Sequence, residues 1–152
     1  MRHAVEVNEP DTGVLDAGER AELGRLRQAV ATAPDGFVSI DESGLITGWN
    51  TAATDLLGWQ PAEIIGRSLA DTLIPAEMRD AHRVGLARYV ATGEAVVLGR
   101  TVELPAMHRD GHQVLVEATI WPSSLQGEHR FYAFLRDVRE MHSAREALAR
   151  SE

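Results

Sequence analysis

The stretch Phe37-Val38-Ser39-Ile40-Asp41, Glu42-Ser43-Gly44, Leu45-Ile46-Thr47-Gly48-Trp49-Asn50 decides the fold. Its two arms are rich in β-branched and aromatic residues, and the middle triplet has turn chemistry, so the segment reads as a β-hairpin. Downstream, Thr51 to Leu57 reads as a helix closed by Gly58, and Pro61 to Ile65 as one helical turn before Gly66. Ile74-Pro75 opens the longest central helix, and Gly93 stops it. Strand signals follow. Val96 to Met107 is one strand, Arg109-Asp110-Gly111 its turn, and Val114 to Trp121 the return strand, closed by Pro122. Gln126-Gly127 marks another turn, and Phe131 to Leu135 is the last strand. From there Val138, Met141, Ala144 or Arg145, and Leu148 keep a helical period. That helix is still running at Glu152, which leaves two expectations: a fragment of a longer chain, or an exposed coiled-coil connector.

Upstream of the hairpin, Pro34-Asp35-Gly36 ends a helix in which Leu23, Leu26, Val30 and Ala33 recur at 3-4-3 spacing. Asp16 is a suitable N-cap. So narrow a stripe suits a short helix packed on a sheet or on a second copy of itself. The expected organisation is a flexible tail over 1–15, a helix over 16–33, a body over 34–138 and a second helix over 139–152. Strands split around a helical middle imply an α+β fold, an antiparallel sheet with helices on one face.

Composition narrows the chemistry. The 152 residues suit one domain, and 44% hydrophobic with 25% charged residues is ordinary for a globular chain. There is no Cys, which excludes disulfides, thiolate metal sites and cysteine nucleophiles. All 15 basic residues are Arg, so a Schiff-base Lys and a phosphate-loop Lys are excluded too. A net charge of −8 without a basic run argues against nucleic acid and against an anionic membrane as partner. No apolar run approaches the ~20 residues of a membrane span. Met1 to Glu6 lacks the apolar core of a signal peptide, so a cytoplasmic location is expected.

The ordered set Asp35-Gly36, Gly44, Ile46, Trp49-Asn50 with Ala52-Ala53, Leu57-Gly58-Trp59, Glu63-Ile64-Ile65-Gly66, Arg109-Asp110-Gly111 and Arg136-Asp137-Val138 resembles the PAS sensory domains of bacterial signalling proteins. The resemblance covers about residues 26–138. It implies a five-stranded antiparallel sheet that cups a pocket against the central helices, with flanking helices that dimerise and pass signals to an effector. Within it, His82-Arg83-Val84-Gly85-Leu86-Ala87-Arg88-Tyr89-Val90-Ala91-Thr92-Gly93-Glu94 is similar to the haem-binding segment of the rhizobial oxygen-sensor kinases, and the match runs without a gap to Arg109-Asp110-Gly111. That resemblance implies His82 as the ligand of haem iron and Arg88 as the propionate contact. Where that subfamily has an Arg that hydrogen-bonds oxygen, this chain has Val102, with Arg100 two residues away.

The periodicity is compatible with those roles. Met78, His82, Gly85, Leu86 and Tyr89 share one helix face, with Arg88 on its flank and Arg79, Arg83 and Ala87 opposite. Leu98, Arg100, Val102 and Leu104 share one strand face, and Leu115 and Ile120 of the return strand join the expected pocket lining. Three fillings of that pocket stay open: haem b on His82, an apolar small molecule or fatty acid with its carboxylate on Arg100, or a closed core in which His82 is a packed structural histidine. Trp49, Trp59 and Trp121 read as packing residues, and Asn50 as a cap or a turn tie. His108 and His112 flank a hairpin turn and can meet across it, but two His alone are too few ligands to define a metal site.

No Ser-His-Asp arrangement, paired catalytic carboxylates or phosphate loop is present, so the reading is a sensory module and not an enzyme. It is expected to be a homodimer built on Leu23, Leu26 and Val30, with Asp137, Val138 and Met141 linking the last strand to the output helix. Its partner is expected to be a downstream effector such as a histidine kinase or regulator. The alternatives are a haem gas or redox sensor and a ligand-free interaction module.

Overall fold

The computed structural model describes residues 14–94 and 99–151 and, for residues 140–142, the helical backbone alone. Most of the expected tail, and Val96 to Leu98 of the expected strand, lie outside the described residues. Asp16 caps α1 (Ala17–Ala31) through a reciprocal box: its side chain accepts from Glu19 N, while Glu19 accepts from Asp16 N. The central hairpin forms as read, with β1 at Gly36–Asp41 and β2 at Ile46–Trp49. Helix α2 (Thr51–Leu57) ends on Gly58 at φ 85°, a left-handed conformation that glycine adopts without strain. Helix α3 (Pro61–Ile64) follows.

The central region is more broken than expected. A four-residue helix, α4 (Leu69–Thr72), starts on Ser68, whose hydroxyl accepts from Asp71 N. After Pro75 the chain makes a 3-10 turn at Ala76–Met78 before α5 (Arg79–Thr92), which Gly93 closes in the left-handed conformation. Strand β3 (Arg100–Met107) pairs with β4 (Gln113–Leu125), and β4 with β5 (Glu128–Asp137); helix α6 (Val138–Arg150) continues directly from β5.

The five strands form one antiparallel sheet in the order β2-β1-β5-β4-β3. Pro122 does not end β4, contrary to the sequence expectation; it sits within the strand opposite Phe131 of β5. Ladder hydrogen bonds alternate sides along an antiparallel strand, and Ile120 presents its carbonyl toward β3, to Gly99 N. Pro122 shares that side, past the first residue of β3, so among the described residues its missing N–H interrupts no ladder bond. The same alternation turns Pro105 outward on the free edge of β3.

Strand alternation also sorts the faces. Val38, Ile40, Ile46, Trp49, Ala106, Val114, Val116, Ala118, Phe131, Ala133 and Leu135 are buried on the inner face, with Ala53, Leu57, Ile64 and Leu73 of the helical layer packed against them. The outer face carries Phe37, Trp121, Tyr132 and Phe134, ring centroids 5.5–6.1 Å apart, all half-buried. Asn50 locks the hairpin to the helices. Its Oδ1 accepts from Phe37 N and Ala53 N while its Nδ2 donates to the carbonyls of Val30 and Asp35, so every hydrogen-bonding position of the amide is used. It is both a cap and a tie.

Candidate functional site

Helix α5 presents one stripe to the sheet: His82, Leu86, Tyr89 and Val90, all half-buried. Gly85, expected on this face, is exposed, and Val90 takes its place. Arg79, expected opposite the stripe, is half-buried and donates to the Ile74 carbonyl. Tyr89 meets Phe131 and His129 of β5 edge-on, at 5.3 and 5.8 Å, and Leu86 lies against Gly44 of the hairpin turn. No residue of α5 is fully buried, and the sheet residues Val102, Leu104 and Ile120 are likewise only half-buried.

His82 is the chemically distinctive member of this stripe. Its Nδ1 is buried and has no hydrogen-bond partner, a condition shared with Trp59 Nε1 and with Nδ1 of His129, which Tyr89 meets edge-on. Burial, and secondarily the neighbouring charge of Arg83, push the His82 pKa below its ordinary value. The imidazole is therefore held neutral, the state in which a ring nitrogen can ligate a metal.

The other expected site residues are placed as follows. Arg88 is exposed at the flank of α5 and pairs with Glu94 at 3.4 Å. Arg100 is exposed at the first position of β3, in register with Ile120. Val102 faces inward beside Ala118. Leu115 corrects the sequence reading: it is 43% exposed on the outer face, because residues 114, 116 and 118 take the inward positions and one step along a strand reverses the side chain. Leu98 lies outside the described residues.

Of the flanking residues, Leu23 and Val30 are half-buried and Leu26 is 55% exposed, and no residue of α1 is buried. Asp137 caps α6 by accepting from Arg139 N. Val138, expected to link the last strand to the output helix, is only 2% exposed and anchors the first turn of α6 in this chain's own core. Met141 lies on α6, its side chain outside the description.

Two surface clefts open away from α5 and share His108. The larger, about 770 Å³, runs between α2, the β3–β4 turn and the start of α6, past Asp35, Asp55, His112 and Arg139. The smaller, about 440 Å³, lies between Trp59, Arg67 and Arg109. Arg109 fastens the turn to the helical layer: its N–H donates to the Leu57 carbonyl and its guanidinium meets Glu63 at 2.6 Å. The sequence brings His108 and His112 together across this turn, but not Asp110, which alone looks like ordinary turn chemistry. The outer-face aromatics were missed as a group for a different reason. Their signal is the alternation Phe131-Tyr132-Ala133-Phe134, which puts every second residue, Tyr132 and Phe134, outside.

A family model described as the PAS fold matches residues 24–138. "Sensor protein FixL" of Bradyrhizobium diazoefficiens is 32% identical over 115 residues, 76% of this chain and 23% of that protein. "Oxygen sensor protein DosP" of Escherichia coli is 31% identical over 103 residues, 68% of this chain and 13% of that protein. The chain therefore spans less than a quarter of the length of these relatives. Among solved structures, the PAS domain of an HTR-like protein from Haloarcula marismortui superposes with a TM-score of 0.60 at 28% identity, over 78% of this chain and 93% of that one.

Proposed function

The chain belongs to the PAS family, and from that premise we propose that residues 34–138 are the sensory body of a bacterial signal-transduction protein. It holds a small ligand or cofactor between α5 and the inner sheet face and transmits through α6. The observation that carries this reading is the contact of α5 with the sheet. The helix lies over apolar strand residues without burying any residue of its own, and it carries there a neutral imidazole whose Nδ1 has no partner. Half-buried apolar surface beside an unpaired polar atom is what a ligand site offers, and a finished core does not. Transmission is supported by connectivity: Asp137 ends β5 and caps α6, so any shift of β5 moves the root of that helix. The module dimerises along Leu23, Leu26 and Val30 of α1, a reading supported by the exposure of Leu26 and by the half-exposed aromatic outer face. Output runs to an effector such as a histidine kinase or regulator, with no nucleic acid or membrane as partner and no catalysis in these residues. No helix among the described residues is long and apolar enough to cross a membrane.

A sharper reading makes the ligand haem b. The residues fit on one observation, the buried and unpartnered His82 Nδ1. Bound haem supplies an iron centre that takes up a diatomic gas or changes oxidation state. His82 would hold the iron, Leu86 and Tyr89 would form the wall beside it, and Arg88 at the flank would meet a propionate. Val102 offers no hydrogen bond to a gas ligand, which leaves that task to Arg100 at the rim. A fatty acid is the competing ligand: Leu86, Val102, Leu104 and Ile120 would take its chain and Arg100 its carboxylate.

The test is an absorption spectrum of the purified chain with and without added haem, beside His82→Ala, paired with native mass spectrometry. Haem predicts a sharp Soret band that His82→Ala abolishes. A spectrum indifferent to His82, with a co-purified lipid or metabolite in the mass spectrum, overturns haem and keeps the sensory reading. A bare dimer that takes up neither overturns both in favour of a ligand-free interaction module.

A further inference from the structure

We propose that the β3–β4 turn is a binding site for a divalent transition-metal ion, held by His108, Asp110 and His112. The three residues alternate along a tight loop, and the backbone closes that loop by itself: His108 N–H donates to the His112 carbonyl at 2.8 Å and Gly111 N–H to the His108 carbonyl at 2.9 Å. Hairpin closure brings the two imidazoles together, stacked with centroids 4.5 Å apart. Asp110 faces both. Its Oδ1 lies 3.2 Å from His108 Nδ1 and 2.5 Å from His112 Nδ1.

One donor atom from each residue lies within 4.8 Å of the other two. Bond lengths of about 2.0–2.1 Å in tetrahedral geometry set ligand atoms about 3.3 Å apart, so closure on a metal calls for rotation of the exposed Asp110 and His112 side chains about the half-buried His108. Two imidazoles and one carboxylate form a donor set that suits first-row metals and leaves coordination positions open. Asp110 N–H donates to His108 Nδ1 at 3.1 Å, so that nitrogen acts as an acceptor here, and a metal would take over its lone pair. A metal would likewise replace the His112 Nδ1–Asp110 contact, and any proton held there leaves to solvent.

The surroundings leave room for a cation. His108 and His112 line the larger cleft together with Asp35, Asp55 and Asp137 and with Arg136 and Arg139. Both arginines face carboxylates there, Arg136 on Asp35 at 3.2 Å and Arg139 on Asp137 at 3.7 Å, so Asp55 adds the remaining negative charge, in a chain of net charge −8. His108 has little freedom to leave: a Cβ at residue 58 would stand 2.5 Å from its ring, so Gly58 gives it the space it fills. This site is separate from the α5 stripe and stands or falls independently of any ligand there.

The experiment is a zinc titration of the tag-free chain by calorimetry, repeated with Co²⁺, whose visible spectrum reports ligand number and geometry. The expected result is one Zn²⁺ per chain, undisturbed by excess Mg²⁺, which prefers oxygen ligands. His112→Ala and Asp110→Asn should each weaken binding by about a hundredfold or more, since even an outer-shell partner is worth about 10–100-fold. His112 and Asp110 are largely exposed, so both variants are expected to keep the fold, which circular dichroism checks. No one-to-one binding up to millimolar zinc overturns the site. So does binding that survives both substitutions, which would place the metal elsewhere.

Discussion

The inner face of the sheet is covered in two different ways. Over one part lie α2, α3 and α4, which bring in Ala53, Leu57 and Ile64 at 0% exposure, with Ala70, Thr72 and Leu73 close behind. Over the other lies α5, which buries nothing completely and leaves Nδ1 of His82 without a partner. The first part is packed as a protein interior is packed, and its short helices are each capped by a side chain or a glycine. Among the described residues the second keeps two unpaired imidazole nitrogens, of His82 and His129, where the first keeps one, Trp59 Nε1, and each such defect is worth about 1–3 kcal/mol against folding. One sheet thus supports a closely packed half and a more loosely packed one.

The largest test of that division is a pair of leucines. Leu57→Ala removes a fully buried side chain and is expected to cost about 2–5 kcal/mol. Leu86→Ala, in the half-buried α5 stripe, is expected to cost about 1 kcal/mol, the ordinary value for a site that is only partly enclosed. Urea unfolding midpoints of the ligand-free chain read both. Equal losses would break the division, because they would mean that α5 packs as tightly as α2.

Asn50 sharpens the boundary of the tight half. It is 3% exposed and binds β1, α2 and the end of α1 at once. Asn50→Ala is expected to cost about 2–3 kcal/mol, an N-cap together with buried partners left unpaired. Asn50→Asp keeps the two acceptor bonds but turns a carboxylate oxygen toward the Val30 and Asp35 carbonyls, acceptor against acceptor in a buried place. It should therefore cost at least as much and act mainly on α1, with amide exchange rising there more than in α2. If exchange rose equally in both helices, Asn50 would not be the joint between them.

The tight half was legible in the sequence because its signals are local. Gly58, Pro61 and Gly66 punctuate the short helices, and the Glu42-Ser43-Gly44 turn sets the hairpin. The open half was read in outline only. The stripe of His82, Leu86 and Tyr89 follows from a helical period, but Val90 takes the place expected for Gly85 where Tyr89 meets Phe131 edge-on. Leu115 was assigned to the wrong face, since register over a long strand depends on pairing partners that periodicity does not name. Pro122 misled for the same reason: whether a proline ends a strand depends on which neighbour its absent N–H would have met. The His108–Asp110–His112 cluster needed the closed hairpin before its three donors could be seen together.

The smallest expected effect is a slope, and it probes the open half directly. Burial, with a lesser contribution from Arg83, lowers the pKa of His82 in the folded chain below the value near 6.5 of an unfolded histidine. Above about pH 6.5 both states hold the ring neutral, and His82 has no effect on the pH dependence. As pH falls below that value the unfolded chain takes up a proton more readily than the folded one, so stability declines until the folded pKa is passed. His82→Gln removes the titration while keeping a polar side chain of similar reach. Unfolding free energies of the ligand-free chain at about pH 7.5 and about pH 5.5 should therefore fall less in His82→Gln than in the parent. Arg83→Gln should recover only a minor part of that difference, because burial is the larger cause and Arg83 already faces Asp71 at 2.6 Å. Identical slopes in parent and His82→Gln would mean that the imidazole reaches solvent, and that α5 closes on the sheet without burying its own histidine.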